Sequence, residues 1–196
     1  MFDSRAEIEI RIPGGKSCVV RFPTDAEWCK RSRDNRIVRE VVSGGRSRRK
    51  FPDQERTAGE LLAAIRKDDG ERWDDEEALI AIAKLERAEV EDSREEFDTV
   101  RISLRVMGGL LTEHVLAVPS AKAVKRAGDR AYDRIEAKRQ VITRESIEPW
   151  GELYDALIKS SAGYADGVAV PIVHKNAAIT ELLDVFNSMS DGDSPE

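Results

Sequence analysis

Ile8-Glu9-Ile10-Arg11-Ile12-Pro13-Gly14-Gly15 is echoed later in the same chain by Ile102-Ser103-Leu104-Arg105-Val106-Met107-Gly108-Gly109. In each stretch apolar and polar residues alternate, the period-two pattern of a strand with one buried face. The paired glycines that follow permit the positive φ angles of a tight turn. Ser17 to Phe22 then returns as a partner strand in the first copy, and Leu111 to Val118 does so in the second, so each copy opens with a β-hairpin. The echo runs on into Phe22-Pro23-Thr24 and Val118-Pro119-Ser120, each leading into a basic, helix-like stretch. Two copies of one unit are therefore the first expectation.

Working outward from the first hairpin, Thr24-Asp25-Ala26-Glu27 has the spacing of a capping box, and a helix is expected from Asp25 to Val42. Ser43 to Lys50 combines glycine, serine and like charges and reads as a solvated loop. Leu61, Leu62 and Ile65 set one apolar stripe on a helix from Gln54 to Lys67, and a third helix follows from Trp73 through Leu85. Glu89 to Asp98 is acidic and fits either an edge strand or a linker. After the second hairpin, Ser120 caps a helix whose apolar face is Val124, Ala127, Ala131 and Ile135. Arg139 to Thr143 fits a helix extension or a strand. Glu152 to Lys159 parallels Glu60 to Lys67, and a last helix is expected from about His174 to Phe186. The fold class that follows is α+β, with two tandem similar units, each a hairpin and about three helices. The two hairpins could share one antiparallel sheet, because a lone hairpin is only marginally stable. The unit boundaries fall at 1–98 and 99–187, with 188–196 expected to be a disordered tail.

Composition narrows the function classes. The chain has 196 residues, of which 40% are hydrophobic and 36% charged, as in a soluble globular protein. No apolar run approaches the roughly 20 residues of a membrane span. The start lacks the basic-then-apolar order of a secretory signal, so the cytoplasm is the expected location. Cys18 and Cys29 are too few and wrongly spaced for a disulfide framework, and His114 and His174 stand far apart in sequence, so neither a zinc site nor any other cofactor is expected. The acids Asp74 to Glu77 lack the spacing of a calcium loop and suit the first turn of a helix. Without a recognisable nucleophile or partner near either histidine, an enzyme is not the expectation.

The net charge of −6 hides segregation: residues 30–50 hold nine Lys/Arg against two acids, and residues 68–98 hold fourteen acids against four bases. Lys122, Arg126, Arg130, Arg134 and Lys138 recur every four residues and would form one basic stripe on a helix, partly offset by Asp129, Asp133 and Glu136. Trp28, Trp73 and Trp150 each fall at a helix start, suited to anchoring helices on the hairpins or, in a sharper reading, to partner contact. The candidate partner-binding residues are Trp28, Arg46, Arg48, Arg49, Lys50, Arg126, Arg130 and Arg134. An alternative use of the basic block at 30–50 is nucleic-acid binding.

The hairpin followed by Phe22-Pro23-Thr24-Asp25-Ala26-Glu27-Trp28 resembles small phage tail assembly chaperones and related tail morphogenesis proteins. That resemblance implies a non-enzymatic phage or prophage protein that binds other tail components in the host cytoplasm. It covers roughly residues 6–90 and again 100–187.

Overall fold

A computed structural model describes residues 1–41, 47–70, 72–137 and 140–191. In chain order the elements are β1 (Glu7–Arg11), β2 (Ser17–Arg21), α1 (Asp25–Asp34), β3 (Ile37–Val41), β4 (Ser47–Lys50), α2 (Gln54–Ile65), α3 (Asp75–Glu86), β5 (Ala88–Glu96), β6 (Thr99–Val106), a 3-10 turn (Met107–Gly109), β7 (Leu110–Ala117), α4 (Ala121–Ala131), β8 (Tyr132–Ala137), β9 (Gln140–Glu145), α5 (Glu148–Leu157), β10 (Ile158–Ala162) and α6 (Ile172–Asp191). The class is α+β, and all strand pairing within its three sheets is antiparallel. Two compact units are present, one from Ser4–Glu86 with Asp129–Ile147, the other from Met1–Asp3, Arg87–Gly128 and Glu148–Glu196. Each draws on residues from both sides of position 98.

In the unit built from Ser4–Glu86 and Asp129–Ile147, β1 and β2 pair with Ile8 opposite Val20 and Ile10 opposite Cys18. Gly14 and Gly15 take φ of 94° and 85° in the turn, values that only glycine reaches without strain. Ile10, Cys18 and Val20 are buried, and α2 and α3 offer them Leu61, Leu62, Ile65, Ala78, Ile82 and Leu85. Burying each large aliphatic side chain contributes about 1.5–3 kcal/mol. The expected capping box forms: Thr24 Oγ1 accepts from the Glu27 amide, and the Glu27 carboxylate accepts from the Thr24 amide. Arg21 clamps the same carboxylate at 2.6 and 2.7 Å, and these hydrogen bonds pull the Glu27 pKa down to about 2.

Here the structure corrects three sequence expectations. The helix from Asp25 stops at Asp34, where the Asn35 amide donates to the Arg31 and Ser32 carbonyls, and the β-branched pair Ile37-Val38 enters β3 instead of extending it. Of the supposed loop Ser43 to Lys50, Ser47–Lys50 is strand β4, and residues 43–46 lie outside the described residues. The helix expected to reach Ile135 ends at Ala131, and Tyr132–Ala137 is strand β8. The four strands lie in the order β4-β3-β9-β8, with Val38 joining Lys50 on one side and Ile142 on the other, and Ile142 joining Ile135.

In the other unit the order is β10-β7-β6-β5. Along β6 exposure alternates strictly, with Val100, Ile102, Leu104 and Val106 buried, and α6 packs on β5 and β6 with Ile179 and Leu182 in the core. The expectation that the two Gly-Gly hairpins share a sheet is overturned: β1-β2 stands as a two-stranded sheet, while β6-β7 is flanked by β5 and β10. The acidic stretch after Arg87 is edge strand β5, and Ile158-Lys159, expected to be helical, begins β10. Helix α6 starts at Ile172 and runs past Ser188 to Asp191. The N-terminus joins this unit through Phe2, which is fully buried, donates its amide to the Gly163 carbonyl at 2.7 Å and accepts from Ala165 at 2.8 Å.

Candidate functional site

The β4-β3-β9-β8 sheet differs from the other four-stranded sheet in that none of the side chains described on its strands is buried. Ile135 is 47% and Tyr132 49% exposed. Edge strand β4 carries Arg48, Arg49 and Lys50, all exposed, with Lys50 paired to Glu40 across the ladder at 2.7 Å. Edge strand β8 carries the exposed Arg134, paired to Glu136 at 2.8 Å. Charges on both edges discourage indiscriminate strand pairing.

Within the same unit a cleft of about 690 Å³ is lined by Arg33, Arg36, Arg56, Arg130 and Arg144, with Asp34, Asp53, Asp133 and Glu145 among them. Three segments build it: the end of α1, the start of α2, and the stretch from the end of α4 through β9. Arg36 grips Asp53 through Nε at 2.6 Å and Nη2 at 3.2 Å, and Arg56 reaches the same carboxylate at 3.4 Å and Glu60 at 2.6 Å. The hydrogen bond from Arg36 is the main reason that the Asp53 carboxyl lies below its ordinary pKa. Glu145 behaves oppositely: burial raises its pKa, while the Tyr132 hydroxyl 3.4 Å away opposes the rise. Arg144 projects from β9, is exposed, and forms no ion pair among the described residues. Fixed arginine forks of this kind recognise carboxylates in two-point geometry and stack on aromatic faces.

The sequence-derived candidates distribute as follows. Arg130 lines the cleft, and Arg48, Arg49, Lys50 and Arg134 occupy the two edges of the open sheet. Arg126 is exposed on α4. The basic stripe does not continue as one helix face, because Arg134 lies on β8, and Lys138 and Arg46 are outside the described residues. Trp28 is only 1% exposed, packed 6.1 Å from the Phe22 ring with the Arg31 guanidinium 6.0 Å from its own, which is the anchoring role. Arg56, Arg144, Asp53 and Glu145 were not singled out in the sequence. The local signals were the i,i+3 pair Asp53–Arg56 and the i,i+4 pair Arg56–Glu60, since the cleft exists only once distant segments meet.

A second polar cluster lies buried in the unit that holds β6. His114 Nδ1 is 2.7 Å from the Tyr154 hydroxyl, and His114 Nε2 is 3.2 Å from Thr112 Oγ1 and 3.3 Å from the Tyr164 hydroxyl. The Tyr164 hydroxyl is 3.2 Å from His174 Nδ1. The two histidines, remote in sequence, thus share one tyrosine. Burial lowers the pKa of His114 to about 4, and burial together with the neighbouring His114 lowers that of His174 to about 3. Burial also raises both tyrosines. Phe2 packs edge-on against His174 at 4.8 Å and Tyr164 at 5.9 Å.

Among the described residues no group of three or more His, Cys, Asp or Glu gathers in a metal-holding arrangement, and no helix is long and apolar enough to cross a membrane. No protein-family model, curated protein or solved structure matches the chain.

Proposed function

We propose that this chain is a non-enzymatic binding and assembly protein that acts by protein–protein contact through the open sheet and the adjoining arginine-lined cleft. One observation carries the reading: a four-stranded sheet that leaves Ile135 and Tyr132 about half exposed and buries none of its described side chains. Core burial is what normally stabilises a sheet, so one held open beside a polar cleft suits recognition. We further propose that the chain is a doubled unit. The order hairpin, helix, hairpin, helix, helix runs from β1 to α3 and recurs from β6 to α6 with β10 added, in register with the two Gly-Gly turns.

The resemblance of the hairpin and Pro-Thr cap to tail assembly chaperones makes phage tail components the partner class to test, in the cytoplasm of a bacterial host. Pull-down of tail tube and tape-measure proteins by the intact chain, weakened when Tyr132 and Ile135 are both changed to Ser, is the expected result. Absence of any complex refutes the tail reading.

A second reading, nucleic-acid binding, is favoured by the exposed Arg48, Arg49 and Lys50 on a strand that carries no acid. It predicts a gel shift that weakens steeply with salt and disappears when these three charges are reversed.

A further inference from the structure

The turn between β5 and β6 has a strained aromatic at its tip. Glu96 pairs with Thr99, which leaves Phe97-Asp98 as the whole connection. Phe97 has a φ of 58° and is the one non-glycine residue with positive φ among those described, whereas six glycines fill the other such positions. Its ring is fully exposed. A β-carbon in this region crowds the following carbonyl oxygen, so glycine would form the turn at lower free energy. A phenylalanine held there unpacked is strained and solvent-exposed without a folding benefit, a combination found where a side chain is presented to a partner. Glu95, Glu96 and Asp98 flank it, Glu96 bonded to Arg101 at 2.6 Å.

We propose that this acidic, Phe-tipped turn seats in the arginine-lined cleft of a second copy of the chain. The inference rests on the assembly reading above and names a partner for its cleft. Charge and shape select that partner. The cleft carries five arginines against four carboxylates, and its volume of about 690 Å³ falls within the range that takes up compact ligands. Guanidinium planes stack on an aromatic ring and fork onto flanking carboxylates, and Arg144 stands exposed in the cleft without an ion pair among the described residues. Plug and socket are different surfaces, so the contact is heterologous: each copy can donate one turn and accept another, giving rings or growing chains.

Sedimentation velocity of the full chain tests this, using Phe97→Gly to remove the plug and Arg144→Glu to spoil the socket. The intact chain is expected to form species larger than a monomer that recede as salt rises, and each variant alone to be monomeric. Mixing the two variants should yield a 1:1 dimer and nothing larger, because one intact plug and one intact socket remain. At a dilution and salt concentration where the parent too is monomeric, Phe97→Gly should melt higher than the parent, which separates lost assembly from lost folding; Arg144→Ser replaces the charge reversal if that variant fails to fold. A monomeric parent, or either single variant that assembles like the parent, overturns the proposal. Capture of tail proteins by monomeric Phe97→Gly chain would then leave the broader binding reading standing, so the two can fail separately.

Discussion

Acidification should destabilise the unit that contains His114 and His174 well before its carboxylates are protonated. Both histidines are buried, with folded pKa values of about 4 and about 3 against 6.5 when exposed. The folded values are depressed, so the unfolded chain binds more protons between pH 6.5 and 4, and stability falls as pH falls through that window. Between neutrality and pH 5 each histidine removes about 2 kcal/mol, or about 4 kcal/mol together, since one pH unit of differential protonation is worth about 1.36 kcal/mol. Glu96 of the same unit, whose carboxyl the Arg101 hydrogen bond holds below its ordinary pKa, takes no part. Urea unfolding followed by circular dichroism at steps from pH 7.5 to 5 measures the slope, and histidine ring proton shifts identify the groups. Folded-state imidazole resonances that titrate near pH 6.5, or a stability that changes by less than about 1 kcal/mol across the window, would refute the buried neutral pair.

Other outcomes follow from single contacts. Gly163→Ala should cost about 3 kcal/mol, combining a φ of 88° with a β-carbon 2.5 Å from the Leu111 carbonyl oxygen, and should lower the thermal midpoint. Thr24→Ala removes the cap of α1 and should cost about 1 kcal/mol in denaturant titration. Ile82→Ala, at a fully buried position, should cost about 2–5 kcal/mol, while Ile135→Ser on the open sheet should stay within about 0.5 kcal/mol of the parent. Phe97→Gly should gain about 1 kcal/mol by relieving backbone strain, visible as a raised melting temperature.

What could be read from the sequence was whatever local chemistry determines alone. The alternation of Val100, Ile102, Leu104 and Val106 sets a strand because every second residue meets the core, and Gly14-Gly15 sets a turn because few other residues take that φ. Thr24 and Glu27 cap a helix from three positions apart. Strands β3 and β8 were missed for the opposite reason: neither has a buried face, so the pattern that reveals strands is absent. At β8 the four-residue spacing of Arg126, Arg130 and Arg134 imitated a helix beyond Ala131. The cleft was hidden because Arg36, Asp53 and Arg144 meet only through tertiary structure, and the His114–Tyr164–His174 chain for the same reason.

The central strand β3 bonds to β9, with Ile37 opposite Thr143, while Phe2 is clasped by Gly163 and Ala165. During synthesis the hairpin β1-β2 and its helices can therefore emerge from the ribosome long before the strands that complete their unit, and Phe2 must wait for the much later loop that holds Gly163 and Ala165. A gene cut at residue 98 would yield two fragments, each lacking a piece encoded by the other. They should regain native structure only when produced together, as complementing parts rather than as independent modules.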